Sequence, residues 1–412
     1  MTPAPTVFGE RDPRGSTLRA VAVPELLAPD ASPRLRVAWF GHFQGRHGNG
    51  LAAYSRQTVA AMRSRGIDVL FVAHREGGVE APDQDVALRA VRLKTVTVSL
   101  PGSLERIDAA LTRFQPDVVH VSVSFSLLDG AVASLAKHRN IPAIATVHLP
   151  YGALHSARAR VLREVYRFQA WRLAHFDAIV ALSEGQRALL IESGLDPERI
   201  VVIPNAVDTE RFSPGRSSLR ASLKARFVVV YMGRLDAEKR VPHLARSFLG
   251  QGWGNDHVLL IAGGGTQRRQ LQRLVAEQPQ IRLLGVISGV DERVDLLRAA
   301  DVFVLPSTAE GLSLALLEAM SVGRAVIATD AGEDGAVVGD AGVVIPVSPL
   351  EPALGDALRQ LHDDSALRRS LAQRARARAL ESFSLSTNVD GLEQLYLDLR
   401  GAAADVASPP PA

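Results

Sequence analysis

Short apolar runs alternate with amphipathic stretches along most of the chain, and the alternation occurs twice. In the first series, residues 36–41 (RVAWFG), 68–73 (DVLFVA), 117–121 (DVVHV), 144–147 (IATV), 178–182 (AIVAL) and 201–203 (VVI) predict strands. Longer segments with helical spacing, such as 51–65 and 186–193, separate some of them. The pattern restarts after a linker at 208–220 (DTERFSPGRSSLR). Its strands are expected at 227–232, 258–262, 281–284, 302–305, 325–328 and 342–345. Apolar runs without polar alternation suit strands covered on both faces. Strand–helix alternation builds parallel sheets, so the two series predict two doubly wound α/β domains, at 34–207 and 208–379. Residues 1–33, proline-rich and without periodicity, are expected to form a disordered leader, and 400–412, ending in Ser-Pro-Pro-Pro-Ala, a disordered tail.

Composition narrows this picture without directing it. A chain of 412 residues exceeds what one core usually organises, which agrees with two domains. The absence of cysteine excludes a disulfide framework, thiolate chemistry and Cys-ligated metal. No apolar run reaches the roughly 18 residues of a membrane-spanning helix. The opening residues lack a basic-then-apolar signal, so a cytoplasmic enzyme is expected. A net charge of only +3 argues against a nucleic-acid partner. Residues 1–207 hold 24 Lys+Arg against 19 Asp+Glu and the remainder 23 against 25, so an anionic acceptor or membrane surface would suit the first half.

Ligands of open parallel sheets sit outside the carboxyl ends of the strands, and the loops there carry the candidate chemistry. After 227–232 comes Gly233-Arg234-Leu235-Asp236-Ala237-Glu238-Lys239-Arg240. Arg234 offers phosphate a bidentate fork and Lys239 a point charge, although a solvated basic loop has the same composition. After 302–305 comes Pro306-Ser307-Thr308-Ala309-Glu310-Gly311-Leu312-Ser313, then an apolar helix that contains Glu318. Glu310 and Glu318 can accept hydrogen bonds from sugar and ribose hydroxyls, and the amides of Gly311, Leu312 and Ser313 can cradle phosphate at the helix start. The plainer alternative sets Glu310 against the helix dipole and Glu318 on a solvated face. Leu316, Leu317, Ala319 and Met320 around Glu318 count against that exposure. The third loop, Gly263-Gly264-Gly265, is weak alone, but the three together form a convergent anion and polyol site.

These loops, with VIPNAVDTERF at 202–212, resemble the signature of retaining GT-B-fold glycosyltransferases of family 4, the glycosyl transferases group 1, over about 34–399. The resemblance implies two Rossmann-like domains facing a central cleft, with a helix at 380–399 crossing back to the first domain. It implies a UDP- or GDP-linked hexose as donor co-substrate, a hydroxyl acceptor on a sugar, lipid-linked glycan or small molecule, and no cofactor. Arg234 and Lys239 would hold the diphosphate, Glu310 would contact the transferred sugar, Glu318 the ribose, and the backbone near Val286 would face the base. The first-domain glycine loop, with Gly48 and Gly50, is G-x-x-G-x-G rather than a nicotinamide fingerprint, and would face the diphosphate. His148 would lie beside the transferred sugar and, with His120, on the acceptor side. His148, Arg234, Lys239 and Glu310 form the expected catalytic set.

Two stretches depart from the family: Ser122-Val123-Ser124 replaces an acidic residue, and Gly332-Glu333-Asp334-Gly335 stands where GG-x-PE is usual. No Asp-x-Asp pair ends a predicted strand, so metal independence is expected, with Arg234, Lys239 and helix-start amides neutralising the leaving diphosphate. Residues 153–176 carry five arginines and one glutamate among aromatic and aliphatic residues. That pattern fits either peripheral contact with an anionic inner membrane face or an ordinary packed helix with a solvated basic face. A nucleotide-sugar epimerase and a non-catalytic sugar-nucleotide sensor remain as rivals. A phosphorylase, which needs a cofactor lysine, is a poor fit to a chain with four lysines.

Overall fold

The computed structural model describes residues 34–44, 50–75, 85–93, 96–123, 128–148 and 157–407. The expected leader 1–33 and Gly48 lie outside the described residues. The first sheet contains β1 (Arg36–Gln44), β2 (Asp68–Arg75), β3 (Val86–Leu93), β4 (Val96–Ser99), β5 (Val118–Val123), β6 (Ala143–Val147), β7 (Ala178–Ala181) and β8 (Ile200–Val202). The second contains β9 (Phe227–Met232), β10 (His257–Ala262), β11 (Ile281–Gly285), β12 (Val302–Leu305), β13 (Ala325–Thr329) and β14 (Val343–Ile345). Their spatial orders are β4-β3-β2-β1-β5-β6-β7-β8 and β11-β10-β9-β12-β13-β14.

All described pairings are parallel except β3 with β4. This edge hairpin was not foreseen from the sequence, because Arg89 and Arg92 interrupt the apolar run. Central strands β5, β9, β10, β12 and β13 are buried at every residue, which is why they read as unbroken apolar runs. The strand order reverses between β1 and β5 and again between β9 and β12, and the crevice at such a reversal is where doubly wound sheets bind ligands.

The C-terminal helix runs Leu385–Ala407, which corrects the expected 380–399 at both ends. Residues 380–382 close the preceding helix, Ser365–Ser382. The break follows from backbone pairing: Val207 N donates to Phe383 O and Leu385 N to Val207 O, both at 2.9 Å. Ser384 Oγ then accepts Thr387 N at 3.1 Å and starts a new helix. At the far end, alanines carry the helix into what was expected to be a disordered tail. Val389, Leu392 and Tyr396 of this helix join the cluster around Val37, Trp39 and Phe71.

Candidate active site

β9 and β12 lie side by side in register, Val229 beside Val302 and Val230 beside Phe303, so the loops that follow them leave the same edge of the sheet. The two loops are tied together where Thr308 N donates to Glu238 O at 2.8 Å. One residue further along the first loop, Lys239 Nζ donates to Glu310 Oε1. These side chains are 12% and 11% exposed, so the pair is shielded yet reachable. Ser307 Oγ donates to the same carboxylate oxygen at 2.6 Å and fixes its direction. Arg234 spans two carboxylates, Asp236 and Glu238, the latter at 2.7 Å, and keeps more than half its side chain in solvent.

The glycine loop after β10 is bound into this edge. Asp236 Oδ1 accepts from both the amide and the hydroxyl of Thr266 at 2.9 Å, and Leu235 N donates to Gly264 O at 2.9 Å. Gly263 has φ +149°, and a Cβ there would lie 1.8 Å from Gly233 O, so only glycine lets the two loops touch. A Cβ on Gly264 would meet Val286 Cγ2 at 2.8 Å, which places exposed Val286 directly beside this loop.

The helix Leu314–Ser321 begins at the same edge. Gly311, Leu312 and Ser313 form its approach, and Asn205 Nδ2 holds Leu312 O at 3.0 Å. The Ser313 amide, expected to face phosphate, here donates to Asp334 Oδ1 at 3.0 Å. Asp334 is 1% exposed, and burial and the charge of Glu310 hold its carboxyl well above the usual carboxylate range. Gly332, at φ +61°, presses on Glu310: a Cβ there would fall 2.1 Å from the Glu310 carbonyl oxygen.

Glu318 lies inside the helix, buried, with Oε1 3.1 Å from an Arg293 nitrogen whose guanidinium sits over the Phe212 ring at 5.3 Å. Burial raises its pKa to about 7 against the opposing pull of Arg293. The solvated-face alternative for Glu318 is thereby excluded.

In the first domain, Gly50 opens the helix Gly50–Ser64 after β1. His148 follows β6, half-buried, and meets the Tyr54 ring edge-on at 4.9 Å. Tyr54 belongs to the cluster against which Leu314 packs. The acceptor-side expectation for His120 is corrected. It is 0% exposed, stacked on Trp39 at 4.1 Å, with one ring nitrogen 2.6 Å from Tyr396 Oη and the other 2.7 Å from Thr146 Oγ1. Burial pushes its pKa down to about 3, so it is a neutral bridge between β5, β6 and the C-terminal helix.

Sequence reasoning missed Asp236, Ser307, Arg293 and Asp334 as parts of the site. Asp334 had a signal in the Gly332–Gly335 departure; for the others, the partners are 30, 3 and 25 residues away and meet only in the fold. The assembled edge gathers two cations, each paired with a carboxylate, and the approach to the Leu314–Ser321 helix. That set suits the developing charge of a departing diphosphate and the hydroxyls of a sugar.

Comparison with known proteins agrees. Residues 48–211 match glycosyltransferase family 4 and residues 226–364 match glycosyl transferases group 1. The Escherichia coli UDP-Gal:alpha-D-GlcNAc-diphosphoundecaprenol alpha-1,3-galactosyltransferase is 25% identical, over 85% of this chain and 94% of its own. A D-inositol 3-phosphate glycosyltransferase of Nocardia farcinica is 29% identical, over 87% of this chain and 88% of its own. Sucrose-phosphate synthase of Thermosynechococcus elongatus superposes with a TM-score of 0.73 at 22% identity, over 90% of this chain and all of that one. Sheet orders, loop placement and these matches together make the chain a member of glycosyltransferase family 4, a group 1 enzyme of GT-B fold.

Proposed function

We propose that the protein transfers a hexosyl unit from a UDP- or GDP-linked donor to a hydroxyl acceptor, with retention of anomeric configuration and without a metal ion or other cofactor. The observation that carries the reading is the shielded Lys239–Glu310 pair at the β9–β12 reversal, flanked by Arg234 and the start of the Leu314–Ser321 helix. Lys239 and Arg234 take the diphosphate, Glu310 the transferred sugar and Glu318 the ribose, with Gly264 and Val286 beside the base. The bond from the anomeric carbon to the phosphate oxygen breaks, and the bond to the acceptor oxygen forms on the same face. The acceptor proton passes to the departing phosphate oxygen. Fixed cations lower this barrier because they need not reorganise; losing one such group costs roughly 2.7–4 kcal/mol.

The acceptor reaches the site from the first domain, past His148. The helix Ala157–Leu173 supports an acceptor presented at an anionic membrane surface. It buries Tyr166, Gln169, Ala170 and Leu173 and turns Phe168 and Trp171 outward, 61% and 68% exposed, beside exposed Arg167. No described helix is long and apolar enough to cross a membrane.

Hydrolysis of the donor, with water as acceptor, tests the chemistry without knowledge of the natural acceptor. Proton NMR of the first hexose released from an α-linked donor should show the α anomer, with EDTA present. A β anomer would overturn retention. Recovery of a donor inverted at a ring carbon, with no nucleotide released, would favour the epimerase reading. Co-sedimentation with phosphatidylglycerol vesicles, lost in a Phe168→Ser/Trp171→Ser variant, tests the membrane face; no sedimentation of the wild type would remove it.

A further inference from the structure

Asp334 stands where the family motif departs, and the donor reading leaves it without a partner for its second oxygen. It opens the helix Asp334–Val338, packed by Gly332 against the Glu310 backbone. Oδ1 accepts the Ser313 amide at 3.0 Å, while Oδ2 is buried with no hydrogen-bond partner among the described residues. Its electrostatic neighbours are Glu310 and Lys239, the pair assigned to sugar and phosphate, and the adjacent Glu333. We propose that Asp334 reads one hydroxyl of the transferred sugar through Oδ2 and thereby sets which hexose the site accepts. The inference rests on the donor reading of the same site.

The chemistry is specific. Burial and the charge of Glu310 favour the protonated form of Asp334, in which Oδ1 serves the amide as a carbonyl and Oδ2 carries a hydrogen to give. A sugar hydroxyl can take that hydrogen and give its own to Glu310, which satisfies both carboxyls at once. A donor lacking that hydroxyl leaves a buried polar atom unpaired, and sites built around a hydroxyl reject its absence far better than they reject a change in bulk.

The test uses the full chain and calorimetric titration with UDP, GDP, their hexose donors and the monodeoxy donors. For the wild type, removal of one hydroxyl should weaken binding roughly 10- to 100-fold relative to the parent donor. In Asp334→Ala, discrimination at that position should disappear while that at the others persists, and the parent donor should lose more affinity than the bare diphosphate. Asp334→Ser, which keeps an acceptor for Ser313 and removes the second oxygen, should behave alike and serves if the alanine variant does not fold. Unchanged discrimination in both variants overturns the assignment. Equal losses for donor and bare diphosphate also overturn it and reduce Asp334 to a brace for Ser313. A wild type that binds no diphosphate at all overturns the donor reading itself, and this inference with it.

Discussion

Removal of the Lys239 charge is the perturbation whose cost the structure defines best. In Lys239→Met the Glu310 carboxylate stays in place, 11% exposed, held by Ser307 and faced by no cation at hydrogen-bond distance. Breaking a buried pair from one side costs about 3–5 kcal/mol, and the residual exposure puts this pair near the lower bound. For a domain of this size about 3 kcal/mol lowers the melting temperature by about 6–12 °C. Glu310→Gln should cost less, about 1–2 kcal/mol, because the Lys239 stem is flexible and can carry its charge to water. The double variant Lys239→Met/Glu310→Gln should then lie close to Glu310→Gln alone, with an interaction energy of about 3 kcal/mol. Thermal unfolding of the four proteins measures this cycle directly. A fall of less than 2 °C in Lys239→Met, with additive effects in the double variant, would refute the account of the pair.

Glu318 predicts a pH dependence. Its folded pKa is raised from 4.5 to about 7, so the folded state binds the proton more tightly and stability falls as pH rises from about 4.5 to 7, by up to about 3 kcal/mol. Glu318→Gln should flatten that slope in melting-temperature profiles; parallel profiles for the two proteins would show that Glu318 does not titrate there. Gly263→Ala, with its Cβ driven onto Gly233 O at a backbone angle foreign to alanine, should lose about 3 kcal/mol or more in urea unfolding, and a neutral result would mean the loops do not touch. His120→Ala should destabilise by about 3 kcal/mol through unpaired Tyr396 and Thr146 hydroxyls. Its kcat and acceptor KM per folded molecule should remain those of the wild type; a raised acceptor KM at unchanged melting temperature would return His120 to the acceptor side.

The fold was legible where burial is two-sided. FVVVYM and VFVL read as interior strands because every residue of β9 and β12 is inside, and their neighbouring loops carried the chemistry in plain view. The β3–β4 hairpin was illegible because its arginines give neither an apolar run nor a clean alternation. The helix break at Ser384 was equally hidden, since it comes from pairing with Val207, far away in sequence. Within the site, Lys239 and Glu310 followed from spacing and resemblance. His120 shows the limit of a motif position: a histidine amid valines in a strand reads the same whether its ring meets a ligand or, as here, a tyrosine on the C-terminal helix. The Arg293–Glu318 pairing needs the helix Val290–Ala299 set against the Leu314–Ser321 helix, which no local pattern encodes.

Calorimetric titration of UDP and GDP into the wild type and Lys239→Ala, with EDTA present, tests the central claim most directly. The account predicts that one of the two nucleotides binds the wild type and that the variant loses roughly 10- to 100-fold in affinity. Equal affinity in both proteins, or no binding of either nucleotide to the wild type, would contradict the assignment of the β9–β12 edge as a metal-independent diphosphate site.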